Sequence, residues 1–156
     1  MYLLAESSIV IACSLEHAFA YAADLENFPH WFPGVIDMAS VDALPFATIG
    51  KQYSETVAMP LRGRRSVSIR VVEVAAPHRL VTEGTLPLLL PRMEIDFAVL
   101  ESGGCRVTWR MRSRNARHWP RWTVLPLARR TIAKRAGIGL HRLKERLESD
   151  GLARGA

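Results

Sequence analysis

A single apolar stripe near the C-terminus constrains the fold more than any other feature of this sequence. Apolar side chains recur there at spacings of three or four, at Leu125, Ala128, Ile132, Ala136, Leu140, Leu143 and Leu147. This period places them on one face of an α-helix, whose opposite face is basic. A helix of about 23 residues rises about 35 Å, enough to cross a whole β-sheet. The helix must therefore bury one long face against a large partner surface.

That partner surface is predicted by the segments before the stripe. Their β-rich composition and the turn residues between them predict strands at about 2–12, 35–43, 50–59, 64–75, 79–86, 92–101 and 105–114. The short connections make the sheet antiparallel. Between the first two strands, Ser14 is predicted to cap a helix at about 15–23, and residues 24–33 predict a second short helix.

Alternating side chains predict the register of two hairpins. Around Gly103 the expected pairs are Phe97 with Trp109, Ile95 with Met111, Asp96 with Arg110 and Glu94 with Arg112. Around Arg62 they are Tyr53 with Val71, Glu55 with Ile69 and Val57 with Val67. Both arrangements put large apolar side chains on one face of the sheet, with Glu55 as a carboxylate among them.

Composition limits the organisation of the chain. A length of 156 residues with 49% hydrophobic and 23% charged residues predicts one globular domain, expected at 1–149 with a flexible tail at 150–156. No apolar run reaches the roughly 18 residues that a membrane-spanning helix needs. Cys13 and Cys105 lack the spacing of metal ligands or redox pairs, so we expect free thiols and a cytoplasmic location.

Sequence motifs for chemistry are missing. The five histidines are scattered, and no nucleophile elbow or phosphate-binding glycine loop occurs. We therefore expect no metal, no cofactor and no dedicated catalytic constellation.

The positive charge is concentrated in one segment. The chain carries 21 basic and 15 acidic residues, a net charge of +6, whereas residues 106–146 alone hold 13 basic residues against the single acid Glu145. One interpretation is a solvated face that pairs with acids of residues 1–105. The other is contact with an anionic membrane, aided by the Trp119-Pro120-Arg121-Trp122 run before the helix. We expect no nucleic-acid partner.

Several motifs resemble one family. The run LEHAFAYAADLENFPHWFPGV at 15–35, the Gly50-x-x-Tyr53-x-Glu55 strand, the Pro77-x-Arg79-Leu80 turn and the Leu140-x-x-Leu143-Lys144-x-x-Leu147 helix are similar to those of the START-like (SRPBCC) superfamily, in its polyketide cyclase/dehydrase type. The resemblance implies an α+β helix-grip fold. In that fold a curved antiparallel sheet of about seven strands wraps around the long C-terminal helix, with two short helices between strands 1 and 2.

A sheet closed by a helix either packs solid or leaves a cavity, and we expect a cavity lined by Tyr53, Glu55, Phe97, Trp109 and Met111. The resemblance places Trp31 at its mouth, where it either closes the core or stacks on a ligand. Burial without a partner would raise the pKa of Glu55 and make it a proton donor or a hydrogen-bonding anchor. Alternatively, Glu55 pairs with an arginine or lies at the open rim.

Two functions follow from this site. The first is a carrier or sensor that binds a hydrophobic small molecule, such as a lipid, a quinone or a polyketide-like aromatic. The alternative is an aromatase/cyclase or dehydratase, in which Glu55, Tyr53 or Arg70 assists proton transfer while the cavity orients a poly-β-ketone.

Overall fold

The computed structural model describes residues 1–59, 63–118 and 122–154. Its elements follow the predicted α+β order: β1 (Tyr2–Ile11), α1 (Leu15–Ala22), a 3₁₀ helix (Leu25–His30), β2 (Val35–Ser40), β3 (Gln52–Ala58), β4 (Arg64–Ala75), β5 (Arg79–Gly84), β6 (Pro91–Val99), β7 (Cys105–Ser113) and α2 (Val124–Arg154). The helix-grip prediction is confirmed.

The seven strands form one antiparallel sheet in the order β1-β7-β6-β5-β4-β3-β2. Its two edge strands, β1 and β2, are consecutive in the chain and are joined through α1 and the 3₁₀ helix. The register shifts within the β1–β7, β2–β3 and β4–β5 pairs. Such irregularities bend a sheet, and here α2 packs against its concave face.

The first two helices begin where local capping chemistry predicts. The Ser14 hydroxyl accepts a hydrogen bond from the His17 N–H at 3.1 Å, which satisfies one of the free amides at the start of α1. Asp24 does the same for the 3₁₀ helix, with its carboxylate accepting from the Glu26 N–H at 3.2 Å. The Ser14 cap is confirmed.

The predicted register of the Gly103 hairpin is wrong by two residues. Ile95, and not Phe97, lies opposite Trp109, and Met93 lies opposite Met111. The hairpin closes where the Leu100 N–H donates to the Gly104 carbonyl at 2.9 Å. Gly103, with φ of +93°, therefore occupies the last position of a three-residue loop and not its centre.

The β3–β4 register differs from the prediction by the same amount. Tyr53 pairs with Ile69 and Glu55 with Val67, whereas Arg62, the predicted centre of this hairpin, lies outside the described residues. A shift of two residues keeps every side chain on its face of the sheet, because side chains alternate with period two. The predicted inward direction of the alternating side chains on both strands is consequently correct.

The outer face of the sheet carries a network of ion pairs. Arg110 pairs with Asp96 and Glu6, and Arg112 Nε lies 3.3 Å from Glu94 Oε1. The two predicted charge pairs, Asp96 with Arg110 and Glu94 with Arg112, thus form between diagonal neighbours on the two strands and not between directly opposite residues. Arg114 also pairs with an acid, Glu83, at 3.5 Å. The part of the basic segment that lies on β7 is therefore a charged strand face.

Helix α2 is longer than its stripe predicts, because it extends from Val124 to Arg154 and so continues beyond the expected domain end at residue 149. The stripe itself is confirmed. Leu125, Ala136, Leu140, Leu143 and Leu147 are at most 2% exposed, whereas Ala128 and Ile132 are half-buried. Gly139 allows close approach, since a Cβ there would lie 3.1 Å from Phe32 Cδ2.

Candidate functional site: an apolar cavity under the C-terminal helix

A cavity of about 720 Å³ lies between the first turns of α2 and the sheet. Its walls are formed by residues 28–35, the end of β3 with Arg65 of β4, the 86–91 loop, Met111 of β7 and residues 123–135. Most of the side chains in these walls are apolar. Its volume falls within the roughly 300–1,000 Å³ typical of small-molecule sites.

A second, smaller pocket adjoins the first. It has a volume of about 40 Å³, close to that of one water molecule, and its walls include buried residues of the core such as Leu25, Met38 and Met93. Phe28, Glu55, Pro91 and Met111 line both pockets. The smaller pocket is therefore an inner extension of the cavity, and Glu55 and Met111 lie at the boundary.

Glu55 is an isolated carboxyl group in this wall. It is 9% exposed, and its backbone neighbours across the strands are Met38 and Val67. It forms no hydrogen bond or ion pair with the described residues, so pairing with an arginine, one of the two predicted alternatives, is not observed. Burial raises the pKa of Glu55 to about 7. Near neutral pH this side chain can therefore either donate or accept a proton.

The predicted site residues separate into two groups. Glu55 and Met111 line the cavity, whereas Tyr53, Phe97, Trp109 and Trp31 are at most 3% exposed and form no part of its walls.

The second group supports the walls from behind. The Trp109 ring centroid lies 4.9 Å from that of Phe32, and the Trp31 centroid lies 5.0 Å from that of Phe28. Both phenylalanines face the cavity. Of the two roles considered for Trp31, closing the core is therefore the one that its position favours.

One wall segment that the sequence patterns do not predict is the loop at 86–91, Leu-Pro-Leu-Leu-Leu-Pro. Leu88 and Leu90 have φ of +67° and +42°, which is strained for residues with a Cβ and is a feature of functional loops. The end of β7 holds the loop, since Asn115 Nδ2 donates to the Leu88 carbonyl at 2.7 Å. The run of leucines between two prolines does not follow the period of a strand, and this irregularity is the sequence signal that could have indicated an apolar loop at the site.

Two arginines complete the charged part of the wall. Arg65 lies on β4 opposite Val57, and Arg135 projects from α2. Together with Glu55, they are the charged side chains among the described residues of the cavity wall. The site thus combines a large apolar surface with one carboxyl and two guanidinium groups.

Within the ranges 1–59, 63–118 and 122–154, no three His, Cys, Asp or Glu side chains are grouped as a metal site requires. None of the helices in these ranges combines the length and the apolar composition needed to cross a bilayer.

Fold and site define a helix-grip protein with an apolar cavity between sheet and C-terminal helix. The chain belongs to the family described as "Polyketide cyclase / dehydrase and lipid transport", whose sequence pattern matches residues 3–148. This confirms the resemblance to the START-like superfamily. A search of curated proteins finds no match.

Solved structures show the same fold at low sequence identity. The di-domain ARO/CYC StfQ from the steffimycin biosynthetic pathway aligns over 94% of this chain and 50% of its own, with 13% identity and a TM-score of 0.72. The present chain thus spans half of that protein. NE0264 from Nitrosomonas europaea aligns over 94% of this chain and 95% of its own, with 16% identity and a TM-score of 0.69. Ara h 8.0201 aligns over 92% of this chain and 96% of its own, with 11% identity and a TM-score of 0.62.

Proposed function

We propose that this protein is a carrier or sensor that binds one hydrophobic small molecule, such as a lipid, a quinone or a polyketide-like aromatic, in the cavity under α2. The observation that carries the proposal is an apolar cavity of about 720 Å³ whose wall holds a buried carboxyl group, Glu55, that has no partner among the described residues. The family, which includes both cyclases and lipid-transport proteins, supports the same class of ligand.

Physical chemistry favours a ligand that is mostly apolar. Filling the cavity would remove the exposed surfaces of Leu127, Leu88 and their neighbours from water, at about 25 cal/mol per Å² of apolar area. Glu55 would then supply direction, because a protonated carboxyl buried in an apolar wall gains by hydrogen bonding to a ligand carbonyl or hydroxyl. Met111 offers an adaptable apolar contact beside it.

Titration with the uncharged fluorophore N-phenyl-1-naphthylamine, together with organic extraction and mass spectrometry of the purified protein, tests the proposal. We expect saturable binding of one fluorophore per chain, or a co-purified apolar compound that competes with it. The proposal fails if neither saturable binding nor an extracted compound is found.

A second candidate is the enzymatic one, an aromatase/cyclase or dehydratase. Glu55 favours it, because a carboxyl group with a pKa of about 7 inside a cavity is suited to general acid or base catalysis near neutral pH. Glu55→Gln should then abolish turnover of a poly-β-ketone supplied by a minimal polyketide synthase, while the fluorophore affinity changes less than about threefold. Unchanged product distribution with and without the wild-type protein would exclude this candidate.

We also propose that the cavity mouth contacts an anionic membrane. Trp122 is 84% exposed and Leu127 is 61% exposed beside the cavity. Along the same helix, Arg129, Arg130 and Lys134 have no carboxylate within 4.0 Å in the described part of the chain. Exposed apolar side chains flanked by unpaired cations suit an anionic bilayer surface.

Co-sedimentation with vesicles of phosphatidylcholine alone or mixed with phosphatidylglycerol tests this contact. We expect binding to the anionic vesicles, loss of binding at high salt, and weaker binding for Trp122→Ser. Val99→Ser is the matched control, since Val99 is 67% exposed on the β6–β7 hairpin. Equal loss for both variants, or equal binding to neutral vesicles, would exclude the proposed surface.

A cytoplasmic location is the final part of the proposal. Cys13 and Cys105 are both free thiols. Free thiols persist in reducing compartments, so fractionation of the native host should recover the protein in the cytoplasm or on the cytoplasmic membrane surface. Recovery outside the cell would contradict this.

A further inference from the structure

We propose that the mouth of the cavity binds an anionic group of the ligand, through Arg135 and Arg65, so that the ligand is an amphiphile with an apolar body and an acidic head. This inference rests on the proposed binding function and specifies the chemical class of its ligand.

The guanidinium group of Arg135 packs directly against the backbone at Gly34. A Cβ on Gly34 would lie 2.5 Å from Arg135 Cζ, so any side chain at Gly34 would displace the guanidinium. Gly34 also has φ of +87°, which favours glycine. Arg135 Nη2 then donates to the Ala58 carbonyl at 3.4 Å. The guanidinium group is therefore positioned by backbone atoms at the rim.

Neither arginine of the wall has an acidic partner among residues 1–59, 63–118 and 122–154. In the described part of the chain, no carboxylate lies within 4.0 Å of Arg135 or Arg65. Several arginines of the outer sheet face, such as Arg110 and Arg112, do have a carboxylate at this distance. A guanidinium carries five N–H donors, and the single described hydrogen bond of Arg135 leaves most of them available. A planar cation with free donors is the side chain best suited to a carboxylate or phosphate.

The two arginines lie at one end of the cavity and Glu55 at the other. Arg65 is paired with Val57, two residues beyond Glu55 along β3, and Arg135 contacts Ala58, three residues beyond it. A rise of about 3.3 Å per residue puts these points about 7 and 10 Å from Glu55. The wall between them is apolar. This spacing suits a molecule whose acidic head lies at the rim while its apolar body extends toward Glu55.

Displacement of N-phenyl-1-naphthylamine by dodecanoate, dodecyl phosphate and dodecanol at pH 7.5 tests the inference. A charge-assisted hydrogen bond is strong enough to favour the anions over the alcohol by at least about tenfold in affinity. We expect Arg135→Gln to reduce this preference below about threefold while the affinity for dodecanol stays the same. The relative affinities of dodecanoate and dodecyl phosphate distinguish a carboxylate head from a phosphate head.

Arg142→Gln is the matched control, because Arg142 lies on the same helix, is exposed and does not line the cavity. It should retain the preference for anions, and Arg65→Gln should weaken it. The inference is overturned if the wild-type protein binds dodecanol as tightly as the anions, or if Arg135→Gln retains the full preference. Absence of any fluorophore binding would instead overturn the proposed function itself.

Discussion

The two halves of α2 carry the same apolar stripe but have different surroundings. In the C-terminal half, Ala136, Leu140, Leu143 and Leu147 are at most 2% exposed. In the N-terminal half, Leu125 is fully buried, but Ala128 and Ile132 of the stripe are half-buried and line the cavity, and Leu127 beside them is 61% exposed. One amphipathic helix thus closes a solid core at one end and an open cavity at the other.

The difference comes from the side chains that face the helix. Phe19 and Phe97 pack edge to face at 5.4 Å, and Trp109 fills the space beside Phe32. These large aromatic side chains fill the concave face of the sheet toward the C-terminal half of α2. Toward the other half the sheet presents Glu55 and Val57, which line the cavity. The cavity lies beside this aromatic cluster, and Phe28 and Phe32 form part of its wall.

The largest expected effect is on stability at the solid end. Leu143→Ala should lower the free energy of unfolding by about 2–5 kcal/mol, because a fully buried leucine leaves a cavity that the core cannot close. Leu127→Ala should lower it by less than about 0.5 kcal/mol, because that side chain is largely exposed. Urea denaturation measures both, and equal losses would show that the two halves are packed alike.

The next effect is a pH dependence that comes from the open half. The folded-state pKa of Glu55 is about 7 and its ordinary value is 4.5, so the folded protein binds more protons than the unfolded chain between these values. The free energy of unfolding should therefore fall as pH rises from 4.5 to 7, by about 3 kcal/mol from this group.

Glu55→Gln should remove this component, so that the variant becomes more stable than the wild type at pH 8. Glu101→Gln, at an exposed hairpin position, is the control and should retain the wild-type pH profile. Urea denaturation from pH 4.5 to 8 gives the answer. Parallel profiles for wild type and Glu55→Gln would contradict a desolvated carboxyl group.

A smaller effect should follow from filling the open half. Ala128→Phe places a ring in the cavity and should weaken N-phenyl-1-naphthylamine binding by at least about tenfold, because the space for an apolar ligand is lost. Ala133→Phe adds the same ring to an exposed position of the same helix and should change the affinity less than about threefold. If the two variants bind equally, the fluorophore occupies another site.

The smallest effect separates the two glycines in the middle of α2. Gly137→Ala should raise the free energy of unfolding by about 1 kcal/mol, because nothing lies within 4 Å of the added Cβ and alanine favours the helix. Gly139→Ala should not show this gain, because its Cβ would press on Phe32 at 3.1 Å. Equal gains in thermal or urea unfolding would mean that helix and Phe32 are not in close contact.

Part of the site could be anticipated from alternation along the strands. Glu55 and Met111 were predicted to point inward and do line the cavity, even though the two registers were wrong by two residues. Tyr53, Phe97 and Trp109 also point inward, but they lie where the interior is filled. Periodicity reports which face a side chain is on, and it carries no information about how much space remains in front of it.

The sequence by itself determined the elements, the antiparallel pairing of neighbouring strands and the helix that closes the sheet. Periods of 2 and 3.6, short connections and the Ser14 cap are local properties of the chain. Only the tertiary structure decided which part of the interior stays open and which charged side chains lie at the mouth of the cavity. A cavity is the volume that several separate segments of the chain leave unfilled. The position of the Arg135 guanidinium group depends on Gly34, a residue 101 positions earlier in the chain. Both depend on distances between elements, and no local pattern in the chain encodes those distances.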